Sequence, residues 1–193
     1  MINQQIYQKI RHLIEQPSDI REHLLTLMFY AMDCDHITEM GVRDVVSTWA
    51  FLAAEPTKLV SIDINYTANI EPAIEIAKNN GTELQFLTQD TIQPGFEIEP
   101  TDLLFIDTLH TYGQLKNELA MHGNKAKKYL AFHDTTTYAY ENDRHNSNPN
   151  EVRNNWTPIG LRPAITEFVE KNPHWVMCNW YENNNGLTIL KRI

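Results

Sequence analysis

Residues 36–63 read HITEMGVRDVVSTWAFLAAEPTKLVSID, and this stretch decides the fold class. A short apolar run, His36 to Glu39, ends in an acid and passes into Met40-Gly41. Val42, Val45, Val46, Trp49 and Ala53 then share one face at helical spacing. A second apolar run, Leu59 to Asp63, again ends in an acid. Strand, amphipathic helix, strand is the unit that builds parallel sheets, because parallel neighbours need a long crossover.

The alternation continues outward. Further strand-like runs are Leu84 to Thr88, Asp102 to Asp107 and Tyr129 to Asp134, at intervals of about 20 to 27 residues that suit repeated crossovers. Between them Ile70, Ala73, Ile74 and Ala77 form one apolar helix face, which stops at Asn79-Asn80-Gly81, and Tyr112, Leu115 and Leu119 form another. A helix is expected from Pro163 to before Asn172-Pro173, with Ile165 and Phe168 facing inward. The tail differs: Trp175 to Trp180 and Leu187 to Leu190 are strand-like runs joined through Asn185-Gly186, a pair that favours a hairpin. Upstream, Ile6 to Leu13 and Ile20 to Met32 read as helices, with Pro17-Ser18-Asp19 as break and cap. The expected class is therefore α/β: a Rossmann-like, mainly parallel, doubly wound sheet with a C-terminal antiparallel hairpin and N-terminal helices. One domain is expected over residues 1–193, with a helical cap at 1–34 and the core at 35–193. The cap covers either the site or a dimer surface, so a homo-oligomer stays open. Residues 140–156, dense in Asn, Asp, Arg and His, cannot fill a core and are expected to form a loop that acts as a substrate lid.

Lys and Arg total 16 against 25 Asp and Glu, a net charge of −9 that repels phosphate backbones and anionic lipid. Nucleic acid and membrane are not expected partners. The chain shows no apolar run approaching the ~20 residues of a bilayer span, and Met1 to Gln5 lack a signal-peptide pattern, so a cytoplasmic location is expected. Cys34 and Cys178 lie beside strand-like runs without metal-ligand spacing and are expected to be core thiols. Lys125, Lys127 and Lys128 are read as a solvated helix end.

In an open parallel sheet ligands bind at the carboxyl ends of the strands, where strand order reverses. Glu39-Met40-Gly41 ends the first strand, Asp63 ends the second, and Gln89-Asp90 follow the third. Gly41 would allow close backbone approach, Asp63 could accept from both hydroxyls of a ribose, and Gln89-Asp90 could meet an adenine edge. Each also has a plainer reading: a cap for Glu39, a partner for loop amides for Asp63, a turn for Gln89-Asp90. Together they point to a nucleoside-type cofactor. Asp107 and Asp134 end adjacent strands beside His133, and such oxygen-rich clusters suit Mg²⁺, Mn²⁺ or Ca²⁺. Two like charges so placed require either a proton or a cation between them. The plainer readings make Asp134 a turn cap and His133 a half-buried residue bonded to backbone. His110, three residues beyond Asp107, is placed to act as general base on a substrate hydroxyl.

From Ile37 to Tyr138, about half the chain, this ordered set resembles class I S-adenosylmethionine-dependent methyltransferases, especially the group related to cephalosporin hydroxylase and the macrolide sugar O-methyltransferases. The acidic-x-glycine motif is matched by Glu39-Met40-Gly41 and the ribose-binding acid by Asp63. The fourth-strand signature is matched by Ile106-Asp107, His110 and Tyr112, and the fifth-strand His-Asp by His133-Asp134. The resemblance implies that Asp107 and Asp134 help hold a divalent metal and that His110 is the base. Small residues usually follow the glycine, whereas this chain continues Val42-Arg43-Asp44-Val45-Val46-Ser47-Thr48, and valines there narrow the space for a methionine moiety. Ser47 and Thr48 could still offer hydroxyls and amides.

The expected activity is O-methylation of a hydroxyl on a sugar or other small metabolite by S-adenosylmethionine, assisted by a divalent metal such as Mg²⁺. The expected cofactor contacts are Glu39, Gly41, Ser47, Asp63, Gln89, Asp90 and Asp107. The metal ligands would be Asp107, His133 and Asp134, and the base His110. Two rivals keep the same residues: a non-catalytic module binding a nucleotide or sugar nucleotide, and a metal-dependent hydrolase or oxygenase-like enzyme.

Overall fold

The computed structural model describes residues 3–151 and 159–193. Its strands are β1 (His36–Met40), β2 (Lys58–Asp63), β3 (Glu83–Thr88), β4 (Thr101–Ile106), β5 (Ala126–His133), β6 (Trp175–Tyr181) and β7 (Leu187–Arg192). Its α-helices are α1 (Gln4–Glu15), α2 (Leu24–Ala31), α3 (Val46–Leu52), α4 (Glu71–Asn79), α5 (Tyr112–His122) and α6 (Leu161–Lys171). The strands form one sheet in the order β3-β2-β1-β4-β5-β7-β6. The first five run parallel; β7 pairs antiparallel with both β5 and β6. This is the expected Rossmann-like sheet with its terminal hairpin. The hairpin's second strand lies inside and its first at the edge. Leu187 to Leu190 are all buried, while β6 is exposed from Val176 to Trp180, so burying the more apolar strand sets the order.

Both faces of the sheet are covered. On one, Ile37, Leu59 and Phe105 pack with Ile6, Leu24, Leu27 and Phe51 from α1, α2 and α3. On the other, Met40, Ile62, Leu104 and Phe132 pack with Leu115, Leu119, Ile165 and Phe168 from α5 and α6. The N-terminal helices therefore complete a core, and only the turn before α2 reaches the functional edge.

Several expectations need correction. The helix after β1, α3, begins at Val46, so Val42 and Val45 are buried loop residues outside it. The second N-terminal helix is a short 3₁₀ turn, Arg21–His23, followed by Leu24–Ala31. Lys127 and Lys128 lie in β5, and Lys125 pairs with Glu97 at 2.8 Å, so no helix end gathers these lysines. Cys34 is a buried thiol as expected, but Cys178 is exposed on the edge strand. Among the described residues no helix is long and apolar enough to cross a membrane.

Candidate active site

Strand order reverses between β1 and β4, and just beyond their carboxyl ends lies a cavity of about 500 Å³. Residues following β1, β2, β3 and β4 line it, Asp19 and Ile20 close one side, and Asp143, Asn146, Ser147 and Asn148 close another. The loop after residue 140 thus forms a wall of the cavity over its described part; residues 152–156 of the expected lid lie outside the described residues. Its asparagines tie it down. Asn142 accepts from the Tyr112 and Gly160 amides, while Asn148 and Asn150 donate to Asp90 at 2.9 and 2.6 Å.

In the wall of the cavity the β1–α3 loop takes three positive φ values: Gly41 at 85°, Arg43 at 42° and Val45 at 65°. Gly41 is required by its neighbour: a Cβ there would lie 1.9 Å from the Asp107 carbonyl oxygen, so the loop grazes the end of β4. Left-handed backbone at a β-branched residue costs about 1–3 kcal/mol and persists only where its surroundings impose it. Here Val45 is buried and its amide bonds Val42 O at 2.8 Å. Asp63 Oδ2 accepts from the Val42 and Arg43 amides at 2.8 and 3.0 Å, and Arg43 makes a two-point bond to Asp19. Of the valines expected to narrow the space, Val42 and Val46 line the cavity and Val45 does not.

Asp63 is therefore a loop clamp that also faces the cavity. With Asn65 N on Oδ1, three of its roughly four acceptor positions are taken. Asp63→Ala is expected to weaken S-adenosylhomocysteine binding roughly tenfold or more and to lower the melting temperature, since charge-assisted bonds of about 1.5–3 kcal/mol are lost from a strained loop. Calorimetry and thermal melts on the folded variant check both. Gln89 and Asp90 also line the cavity, but Asp90 already accepts from Ile92 N, Asn148 and Asn150, which leaves Gln89 the freer of the two for a ligand edge.

Glu39 is fully buried and does not line the cavity. Its carboxyl accepts from the hydroxyls of Ser47, Thr48 and Ser61 and so ties α3 to β1 and β2. The direct cofactor contact expected of Glu39 is corrected: its carboxyl faces away from the cavity, and its partner Ser47 is the residue that lines it. The Ser47 and Thr48 hydroxyls donate inward, leaving only the Ser47 oxygen as an acceptor toward a ligand.

A second buried acid, Glu118 on α5, accepts from Thr91, Thr108 and Gln114, three residues of the cavity wall. Its one sequence signal was a carboxylate between Leu115 and Leu119 on an apolar helix face. Burial pushes both Glu39 and Glu118 up to about 7 from 4.5, against the pull of their hydrogen bonds. A raised acid favours the folded state below its unfolded value and loses that advantage as pH climbs through the folded one. Between pH 5 and 8 the wild type should thus lose stability relative to the Glu39→Gln/Glu118→Gln variant, by at most about 3 kcal/mol per acid. Urea unfolding of both proteins at the two pH values measures it.

Beside the cavity four titratable groups converge, of which Asp107 and His110 line it. Asp107 follows β4, and its amide extends the ladder to Met40 O at 2.8 Å. Asp134 follows β5 with φ 59°, a left-handed turn that swings its carboxylate back toward Asp107. His110 Nε2 lies 3.3 Å from Asp107 Oδ1 and 2.9 Å from Asp134 Oδ2. His133 Nδ1 lies 3.4 Å from Asp107 Oδ2 and 3.2 Å from Asp134 Oδ2. The two carboxylates expected to meet here do so with both imidazoles between them. Burial opposes every charge here, but the carboxylates raise His110 to about 9 and His133 to about 10, and the imidazoles hold Asp107 and Asp134 below the usual range. His110 also stacks on Tyr138 at 4.7 Å, and the His133 Nε2 bonds the Asn184 carbonyl at 3.2 Å.

The cluster fits a divalent cation. Asp107 and Asp134 each offer a carboxylate oxygen within 4.8 Å of the other and of the His110 Nε2, and the His133 Nδ1 is a buried atom with no hydrogen bond of good geometry. Both carboxylates are hard donors suited to Mg²⁺ or Mn²⁺. Asp107 and His110 also line the cavity, so a cation held there would face a bound acceptor.

No protein-family model matches the chain, and no curated protein matches it by sequence. Solved structures do. A Staphylococcus aureus protein assigned as a caffeoyl-CoA O-methyltransferase superposes with a TM-score of 0.63 at 15% identity, over 99% of this chain and 93% of the other. An O-methyltransferase from Bacillus cereus, in complex with S-adenosylhomocysteine, gives 0.59 at 14% over 99% and 92%. The N-methyltransferase NodS from Bradyrhizobium japonicum WM9, also with S-adenosylhomocysteine, gives 0.54 at 16% over 97% and 98%. The chain has the Rossmann-like methyltransferase fold.

Proposed function

We propose that this chain is an S-adenosylmethionine-dependent O-methyltransferase that acts on a hydroxyl of a sugar or other small metabolite with a divalent cation at Asp107 and Asp134. The observation that carries the reading is one cavity at the strand-order reversal whose wall includes Ser47, Asp63 and Gln89 together with Asp107 and His110. A donor and an acceptor would share that cavity and be held close together.

When bound, S-adenosylmethionine supplies a sulfonium methyl and the divalent cation supplies Lewis acidity toward the acceptor hydroxyl. Asp63 and Gln89 would bind the nucleoside part, and Ser47 would offer an acceptor toward the amino acid part. Asp107, Asp134 and His133 would hold the cation. The Nε2 of His110 would take the proton of the acceptor hydroxyl, leaving its oxygen as the nucleophile toward the methyl group. His110 is a base only once the carboxylate charges that keep it protonated are otherwise compensated, which ties its role to the cation. Tyr138, stacked on the ring, fixes its plane. The described loop 140–151 walls the cavity both beside Asp90, through Asn148, and beside His110, whose carbonyl accepts from the Asp143 amide, and would help exclude water.

The test is release of S-adenosylhomocysteine from S-adenosylmethionine, with Mg²⁺, across a panel of small hydroxylated acceptors. Acceptor-dependent release supports the reading. Binding of a nucleotide sugar without any release would favour the non-catalytic module instead.

A further inference from the structure

We propose that the turn between β6 and β7, with His23 behind it, is the positioning device for His133: it pins Nε2–H and leaves Nδ1 aimed at the Asp107 and Asp134 carboxylates. This rests on the cation site proposed above. Successive carbonyls of the turn each accept from a different part of the site. Asn183 O accepts from His23 Nε2 at 2.9 Å, Asn184 O from His133 Nε2 at 3.2 Å, and Asn185 O from the Thr136 and Thr137 amides at 2.8 and 3.1 Å. A carbonyl has no proton to give, so each imidazole nitrogen there is the donor. In a neutral ring the lone pair then sits on Nδ1, which for His133 is buried without a well-formed hydrogen bond and lies 3.2–3.4 Å from both carboxylates.

The turn is built to hold this position. Asn184, Asn185 and Gly186 all take positive φ, and a Cβ on Gly186 would lie 2.5 Å from the Thr136 amide, so the turn is seated against the segment that carries Asp134. The Asn184 side chain bonds the Glu22 amide and the Ser18 carbonyl, and Asn183 bonds the Glu22 carboxylate, fastening the turn to the segment bearing His23. His23 and His133 are each 1% exposed and meet edge-on at 5.7 Å. Residues that orient a metal-binding imidazole through its far nitrogen commonly shift metal affinity by about 10- to 100-fold. His23 is a positioning residue two contacts removed from any ligand atom.

Mn²⁺ titration calorimetry and long-range ¹H–¹⁵N spectra of the histidine rings, on wild type, His23→Phe and His23→Gln, test the proposal. Phe keeps the ring and removes the bond to Asn183 O; Gln keeps a donor. His23→Phe should weaken Mn²⁺ binding roughly tenfold or more and His23→Gln should recover most of it. Unchanged Mn²⁺ affinity in folded His23→Phe overturns the proposal and leaves the cation site standing. No Mn²⁺ binding by the wild type would sink the cation site itself. The wild-type spectra decide the geometry regardless of how the variants fold: Nε2 should carry a proton with or without Mn²⁺, and a neutral ring protonated only at Nδ1 refutes the assignment.

Discussion

Chelating divalent ions from the purified chain should abolish methyl transfer, and Mg²⁺ or Mn²⁺ should restore it. In their absence the Asp107 and Asp134 carboxylates are compensated by His110 and His133, at 2.9 to 3.4 Å. That arrangement is self-satisfied and blocks the site: the nitrogen needed as base is held as a donor between two carboxylates. A divalent ion provides the same positive charge while leaving coordination positions open for an acceptor. Asp107→Asn and Asp134→Asn should each raise the metal concentration required by roughly tenfold or more, because a charged oxygen ligand becomes neutral, while S-adenosylhomocysteine still binds. Full activity in thoroughly chelated buffer, with no metal by elemental analysis, would leave the four groups as a structural ion-pair network.

The second large effect concerns His110. Replacing it with Gln should lower turnover by ~10²- to 10⁴-fold, with S-adenosylhomocysteine affinity nearly unchanged, as expected for a general base. Glutamine can still bond Asp134 and fill the space against Tyr138, so the comparison isolates proton transfer. Wild-type turnover in a folded His110→Gln variant would place the base elsewhere and make His110 one more partner of the carboxylates.

The parts of the fold legible in the sequence were those written in local periodicity. The apolar runs ending at Asp63, near Asp107 and near Asp134 gave the parallel strands, and Asn185-Gly186 gave the hairpin, because burial on one face repeats along each element. Contacts across elements leave no such trace. That β7 lies inside β6 depends on two strands competing for one edge. That Arg43 and Val45 adopt left-handed backbone depends on the Asp63 carboxylate and Asp19 beyond the loop. The site was read in the same uneven way. Asp107, His110, His133 and Asp134 were visible as acidic strand ends with neighbouring imidazoles, but their pairing into one charge-balanced cluster was not, since two residues after β4 and two around the end of β5 meet only in space. Glu118 and His23 were missed because a buried polar residue on an apolar face looks, in one sequence, like an interruption of the pattern. Glu39 was misplaced because a strand-end acid can point into the cavity or, as here, into the helix behind it.

Titration of S-adenosylhomocysteine into the purified chain by calorimetry tests the central claim most directly, since the cavity between Ser47 and Asp107 should hold an adenosyl ligand before any acceptor is known. We predict saturable one-site binding at micromolar level, weakened in Asp63→Ala and retained in His110→Gln. No saturable heat at millimolar ligand, from a protein shown to be folded, would contradict a methyltransferase reading of this cavity.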